Sequence, residues 1–140
     1  MPNQLFGPGL YIVRRHSPEK GVDHVAVLDV GNRSGVANWG SCAARLLEFT
    51  PDGLSFDPCD QAGGWRFEKQ LTDERAAATR IQFVLRTLGK PYHLTSNNCE
   101  HMVSFVESGK PMSPQVRGAL MAAVLMVTVV LIARASRRAA

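Results

Sequence analysis

Apolar and polar positions alternate in short runs through the first half of the chain and recur at three- and four-residue steps in the second. Leu10-Tyr11-Ile12-Val13 follows the turn pair Pro8-Gly9 and reads as a short strand. Arg14 to Gly21, with Ser17-Pro18 inside it, reads as a polar loop. Asp23 to Val30 is a strong strand pattern: Val25, Val27 and Val30 are β-branched and partly alternate, and Val30-Gly31-Asn32 closes it in a turn. Arg45 to Thr50 is a third strand, closed by Pro51-Asp52-Gly53. No helix-length amphipathic segment separates the first two strands, which predicts an antiparallel sheet. The stretch from Ser55 to Phe67 is poorly patterned and has room for one short strand around Gly64-Trp65-Arg66-Phe67.

The period then changes. Thr72-Asp73-Glu74 reads as a helix start with Thr72 as N-cap and acidic residues in the first turn. Ala77, Ile81, Val84, Leu85 and Leu88 form one apolar face, and Gly89 and Pro91 end the helix. A second helix starts near Asn97 or Asn98, carries Cys99, Met102, Val103 and Val106, and ends at Gly109 and Pro111. The expected class is therefore α+β, a small antiparallel sheet packed with helices.

The tail has a different character. Gly118 to Ala133 is sixteen residues without a charge, bounded by Arg117 and Arg134. That is slightly short of the roughly 20 residues of a membrane span. A helix begun at Ser113, with Pro114 in its first turn, runs on through Arg134. Arginine stems can snorkel and lengthen the apolar stretch. A small domain has trouble covering a helix that is apolar all round. The expected organisation is a domain over 1–112, a transmembrane or membrane-associated helix over 113–136, and a basic tail over 137–140. Charge on both sides of the apolar run leaves orientation unfixed by charge alone; the expected location is a membrane, single-pass, with the domain on the cytoplasmic side.

Composition narrows the function. The 140 residues are enough for one modest core. The net charge of +4 owes part of its excess to Arg134, Arg137 and Arg138, and no dense basic stripe with interleaved aromatics marks a nucleic-acid surface. Cys42, Cys59 and Cys99 are odd in number and widely spaced, so neither a disulfide framework nor a zinc site is expected. No metal or cofactor is expected. Met1 to Leu10 lacks the basic and apolar blocks of a signal peptide.

The candidate chemistry centres on Cys99. A thiol at a helix start meets unpaired backbone N–H groups and the positive end of the helix dipole, both of which favour the thiolate. Such a nucleophile needs a base within reach, and the base needs an orienting group. Of the four histidines, His24 lies in a predicted strand, where it is held rigidly or simply faces solvent. His101 is two positions from Cys99, and helical residues two apart do not face each other, so packing or capping suits it better. His93 precedes the helix in a loop, and His16 sits in the polar loop. Glu48 is the charged group in the run Leu46-Leu47-Glu48-Phe49. It either faces solvent or accepts the His24 ring N–H and fixes its tautomer.

These segments resemble the lecithin:retinol acyltransferase-like family, a permuted branch of the NlpC/P60 papain-like thiol enzymes. The resemblance rests on Gly7 to Val13, on Asp23 to Asn32 with its histidine, on Pro91 to His101 with Asn98-Cys99-Glu100-His101, and on Ser113-Pro114-Gln115-Val116. It implies a permuted NlpC/P60 fold, with Cys99 as nucleophile and His24 as base. Members commonly carry a second histidine in the next strand. Glu48 stands at the matching position, where a carboxylate can orient the first histidine.

The implied activity is acyl transfer to or from lipid acyl esters through a thioester on Cys99. A membrane lipid is the expected acyl donor, held near the site by the tail. Two alternatives stay open: a thiol amidase or peptidase of NlpC/P60 type, and a non-catalytic membrane-tethered module.

Overall fold

The computed structural model describes residues 6–18, 21–50, 52–59, 64–86, 98–110 and 114–138. It contains β1 (Gly9–Ser17), β2 (Val22–Val30), β3 (Ala44–Thr50), β4 (Gly53–Pro58), β5 (Arg66–Gln70), α1 (Glu74–Leu85), α2 (Cys99–Ser108) and α3 (Pro114–Arg138). The strands form one antiparallel sheet in the order β4-β3-β2-β1-β5. The α+β class follows from this arrangement. The expected ends of the first helix at Leu88 and Gly89, the breakers Pro91 and Pro111, and the start at Ser113 lie outside the described residues.

Alternation along the strands divides the interior into two clusters. Leu10, Ile12, Val25, Val27, Leu47 and Phe49 project toward α1 and α2, where they meet Ala77, Ile81, Cys99, Met102 and Val106. Val13, Ala26, Leu28, Val30, Ala44 and Leu46 project to the opposite face, under Trp65, Tyr11 and Phe6. That face carries no helix of its own cluster, so the second layer there is built by aromatic side chains.

Three elements depart from the sequence reading. β1 continues through Arg14 to Ser17, where a polar loop is expected, and pairs with β2 along its full length. Ladder hydrogen bonds and cross-strand charges hold this polar end: Arg14 pairs with Glu68, and His16 Nδ1 lies 2.8 Å from Asp23 Oδ1. β4 occupies the poorly patterned stretch, with Leu54 and Phe56 turned inward between Ser55 and Asp57. The helix start moves by one residue, because Asp73 rather than Thr72 caps α1 by accepting from the Ala76 N–H at 3.1 Å.

The connection from β2 to β3 is organised by a buried carboxylate. Asp29 is fully buried and accepts from the Arg33 N–H at 2.7 Å, the Ser34 N–H at 3.0 Å and the Ser34 hydroxyl. Gly31 and Asn32 both have positive φ, 76° and 55°, as the reversal requires. Arg45 ties the far end down by donating to the Trp39 carbonyl at 2.8 and 3.0 Å and to the Phe56 carbonyl at 2.9 Å. β3 is thereby set in register beside β2.

α3 is 25 residues, about 37 Å of helix at 1.5 Å per residue. Every side chain from Met121 to Ile132 is exposed, including Leu125, Met126, Val129 and Leu131. Among the described residues no helix is long and apolar enough to cross a membrane. What is described is an apolar surface that the domain does not cover.

Asp29→Ala leaves the Arg33 and Ser34 N–H groups without their acceptor. The expected loss is about 2–4 kcal/mol of unfolding free energy, read from urea denaturation. An unchanged midpoint would show that the turn forms without the carboxylate.

Candidate active site

The site lies where β2 and β3 part. Their ladder runs from Val30↔Ala44 to Val27↔Leu47. Beyond that rung β2 stays paired with β1, and β3 with β4. α2 packs against both strands, and its first residue brings the Cys99 sulfur to each of them. Cys99 Sγ is 3.2 Å from His24 Nδ1 on β2 and 3.4 Å from the Phe49 carbonyl on β3.

By strand alternation His24 and Glu48 belong to the sheet face with Ala26 and Leu46, whereas Cys99 belongs to the helical side. The end of the ladder is what lets them meet. His24 Nε2 is 2.6 Å from Glu48 Oε2, and both side chains are three-quarters buried or more. An ionised carboxylate only accepts, so Nε2 carries a proton and Nδ1 is the nitrogen turned to sulfur. Cys99 itself is 8% exposed.

The start of α2 is fixed by its neighbours in sequence. Asn98 caps the helix, and its Oδ1 accepts from the His101 backbone N–H at 2.9 Å and from His101 Nδ1–H at 2.8 Å. His101 is therefore a capping partner, as its spacing from Cys99 requires. The N–H groups of Cys99 and Glu100 belong to the first turn, where the helix supplies no acceptor. They point at the same region as the dipole's positive end.

The charges at the centre reinforce one another. His24 is raised from 6.5 to about 9, first by its hydrogen bond with Cys99 and then by the one with Glu48, against the opposing effect of burial. The ring is an imidazolium at neutral pH, with one N–H toward Glu48 and one toward sulfur. That N–H lies at the start of α2, with His24 Nδ1 3.2 Å from Sγ. The Phe49 carbonyl is the acceptor for Sγ–H, at 3.4 Å.

The structure brings together all three residues singled out from sequence: Cys99, His24 and Glu48. It separates them from His16, which is exposed on β1 beside Asp23. His93 lies outside the described residues. Cys42 Sγ–H donates to the Trp39 carbonyl, and Cys59 packs beside the second cluster. Among the described residues no group of histidine, cysteine and carboxylate side chains is placed to hold a metal ion. An open concavity of about 400 Å³ lies on α1, lined by Asp73, Arg75, Ala76, Thr79 and Arg80, and includes none of the three.

Two neighbours escape a reading of the sequence. Trp65 lies 5.6 Å from the His24 ring, centroid to centroid, and the Arg15 guanidinium sits 4.5 Å over Trp65. The cross-strand pairing Arg15↔His24 is the signal that places Arg15 there, and it depends on β1 extending past Val13. The Phe49 carbonyl is a backbone group, and no residue identity announces it.

Comparison with protein-family models, with curated proteins and with solved structures gave no match.

The raised pKa sets a pH dependence of stability. Because the folded value lies above the unfolded one, the stabilisation is fully present below pH 6.5 and is lost as pH rises through about 9. Chemical denaturation across this window should show the native protein losing no more than about 3 kcal/mol. His24→Gln should remove that slope; a slope that survives the substitution would assign it elsewhere.

Proposed function

We propose that the chain is a thiol acyltransferase or hydrolase acting on lipid acyl esters. The observation that carries the reading is the Cys99–His24–Glu48 chain, with sulfur 3.2 Å from Nδ1 and the carboxylate 2.6 Å from Nε2. A nucleophile, a proton carrier and an orienting anion stand in the order that acyl transfer uses. The resemblance to the lecithin:retinol acyltransferase-like family, and to its permuted NlpC/P60 fold, supports the same assignment of roles.

In this reading Cys99 Sγ, as thiolate, attacks the ester carbonyl carbon. The carbonyl electrons move to oxygen, and the Cys99 N–H at the helix start stabilises the oxyanion. Collapse breaks the carbon–oxygen ester bond, and the His24 imidazolium gives its Nδ1 proton to the departing alkoxide. The acyl group remains as a thioester on sulfur. Neutral His24 then takes a proton from water or an acceptor alcohol, which attacks the thioester and frees Sγ. Glu48 holds the ring through Nε2 in both halves and favours its charged form in the first.

Lipid is the favoured substrate because of α3. Its exposed apolar residues from Met121 to Ile132 give the domain a means of sitting at a bilayer. Attachment there raises the local concentration of acyl esters around the site. This reading puts the domain on the cytoplasmic side, where the thiols of Cys42, Cys59 and Cys99, none of them in a disulfide, stay reduced.

Intact-mass measurement after incubation with mixed phospholipids should reveal an acyl adduct on the native protein and none on Cys99→Ala. His24→Ala should slow adduct formation by about 10²–10⁴-fold. An adduct formed only with a peptide amide donor would move the assignment to an amidase, and no adduct with any donor would leave a binding module. Glu48→Gln should shift the alkaline limb of the rate profile to lower pH, because one of the two interactions that raise His24 is weakened. Ending the chain after Gln115 should release the protein from liposomes in a flotation assay; unchanged flotation would reject α3 as the membrane contact.

A further inference from the structure

Arg15 stands directly opposite His24 in the β1–β2 ladder, and so on the same face of the sheet. Two cationic groups so placed repel each other. The buried Trp65 ring packs against both: it lies 5.6 Å from the imidazole, centroid to centroid, and the guanidinium sits 4.5 Å over it. The aromatic face takes up the arginine charge. Gly64 leaves room for the stem: a Cβ there would lie 3.9 Å from Arg15 Cδ.

The outer side of Arg15 is exposed, and among the described residues no carboxylate lies within ion-pair distance of it. Its neighbours differ. Arg14 is bound to Glu68, Arg33 to Glu74, and Arg45 and Arg80 to backbone carbonyls. A guanidinium resting on a ring by its face keeps its in-plane N–H donors for an acceptor. Arg15 is thus held against Trp65, the neighbour it shares with His24, and among the described residues its N–H donors have no acceptor.

We infer that Arg15, stacked on Trp65 beside His24, binds an oxyanion group of the acyl donor and selects phosphate- or carboxylate-bearing esters over neutral ones. This rests on the acyl-transfer reading above. It assigns the residue a role in specificity: the fork grips the anionic group in two parallel hydrogen bonds while the ester carbonyl lies at Cys99. A neutral glyceride offers the same carbonyl and nothing for the fork.

The test compares three soluble donors: dihexanoylphosphatidylcholine, O-hexanoyl lactate and dihexanoylglycerol. Arg15→Gln should lower kcat/KM for the phosphate or the carboxylate donor by about 10- to 100-fold, mostly through KM, and leave dihexanoylglycerol unchanged. Arg15→Lys should recover part of the loss, because the charge returns without the fork. The donor that suffers more identifies the oxyanion. Equal losses on all three, or no loss on any, overturn the inference. Binding of the same probes to Cys99→Ala and to the Arg15→Gln, Cys99→Ala double variant separates the two readings. A selective loss of binding without any turnover would keep the anion site and reject the acyl-transfer reading.

Discussion

Everything at the site depends on where β2 stops pairing with β3. Had the ladder continued past Val27↔Leu47, the strands would have satisfied each other and shut the sulfur away from the face that carries His24 and Glu48. Instead each strand keeps its outer partner and the inner edges separate. One sulfur at the start of α2 then reaches the imidazole of one strand and a backbone carbonyl of the other. The buried turn around Asp29 and the grip of Arg45 on Trp39 and Phe56 matter because they fix the paired end, and so fix how far the free ends stand apart.

The electrostatics follow from that geometry. A carboxylate from β3 and a sulfur from α2 address opposite nitrogens of one ring, so the ring is stabilised as a cation from both sides. The Phe49 carbonyl completes the sulfur's surroundings as an acceptor for Sγ–H. The cap at Asn98 fixes the helix start: one side-chain oxygen holds both the backbone and the ring of His101, and the first-turn N–H groups of Cys99 and Glu100 have no acceptor within the helix.

Much of this was legible along the chain. The valine run of β2, the three- and four-residue recurrence of α1, and the Asn98 start of α2 are local patterns, and local patterns survive folding. His24 and Glu48 each sit on alternating strands, which is why a shared face was foreseeable. β4 was missed although Leu54 and Phe56 alternate with Ser55 and Asp57, because glycine and proline at its ends read as loop. The polar end of β1 was missed because its ladder bonds and its cross-strand partners Glu68 and Asp23 lie in other segments of the chain. Trp65 and Arg15 join the site through that missed extension. Contacts between segments far apart in the chain leave no trace in either segment alone.

The same separation has a biological consequence. Cys99 and His24 lie 75 positions apart, and His24 and Glu48 lie 24 apart. During synthesis the histidine and the carboxylate emerge first, and the sulfur reaches them only after the sheet has closed and α2 has docked. Until then Cys99 stands without the imidazole beside it. The three groups are therefore brought together only by completion of the fold, and a misassembled or partly unfolded copy lacks their arrangement.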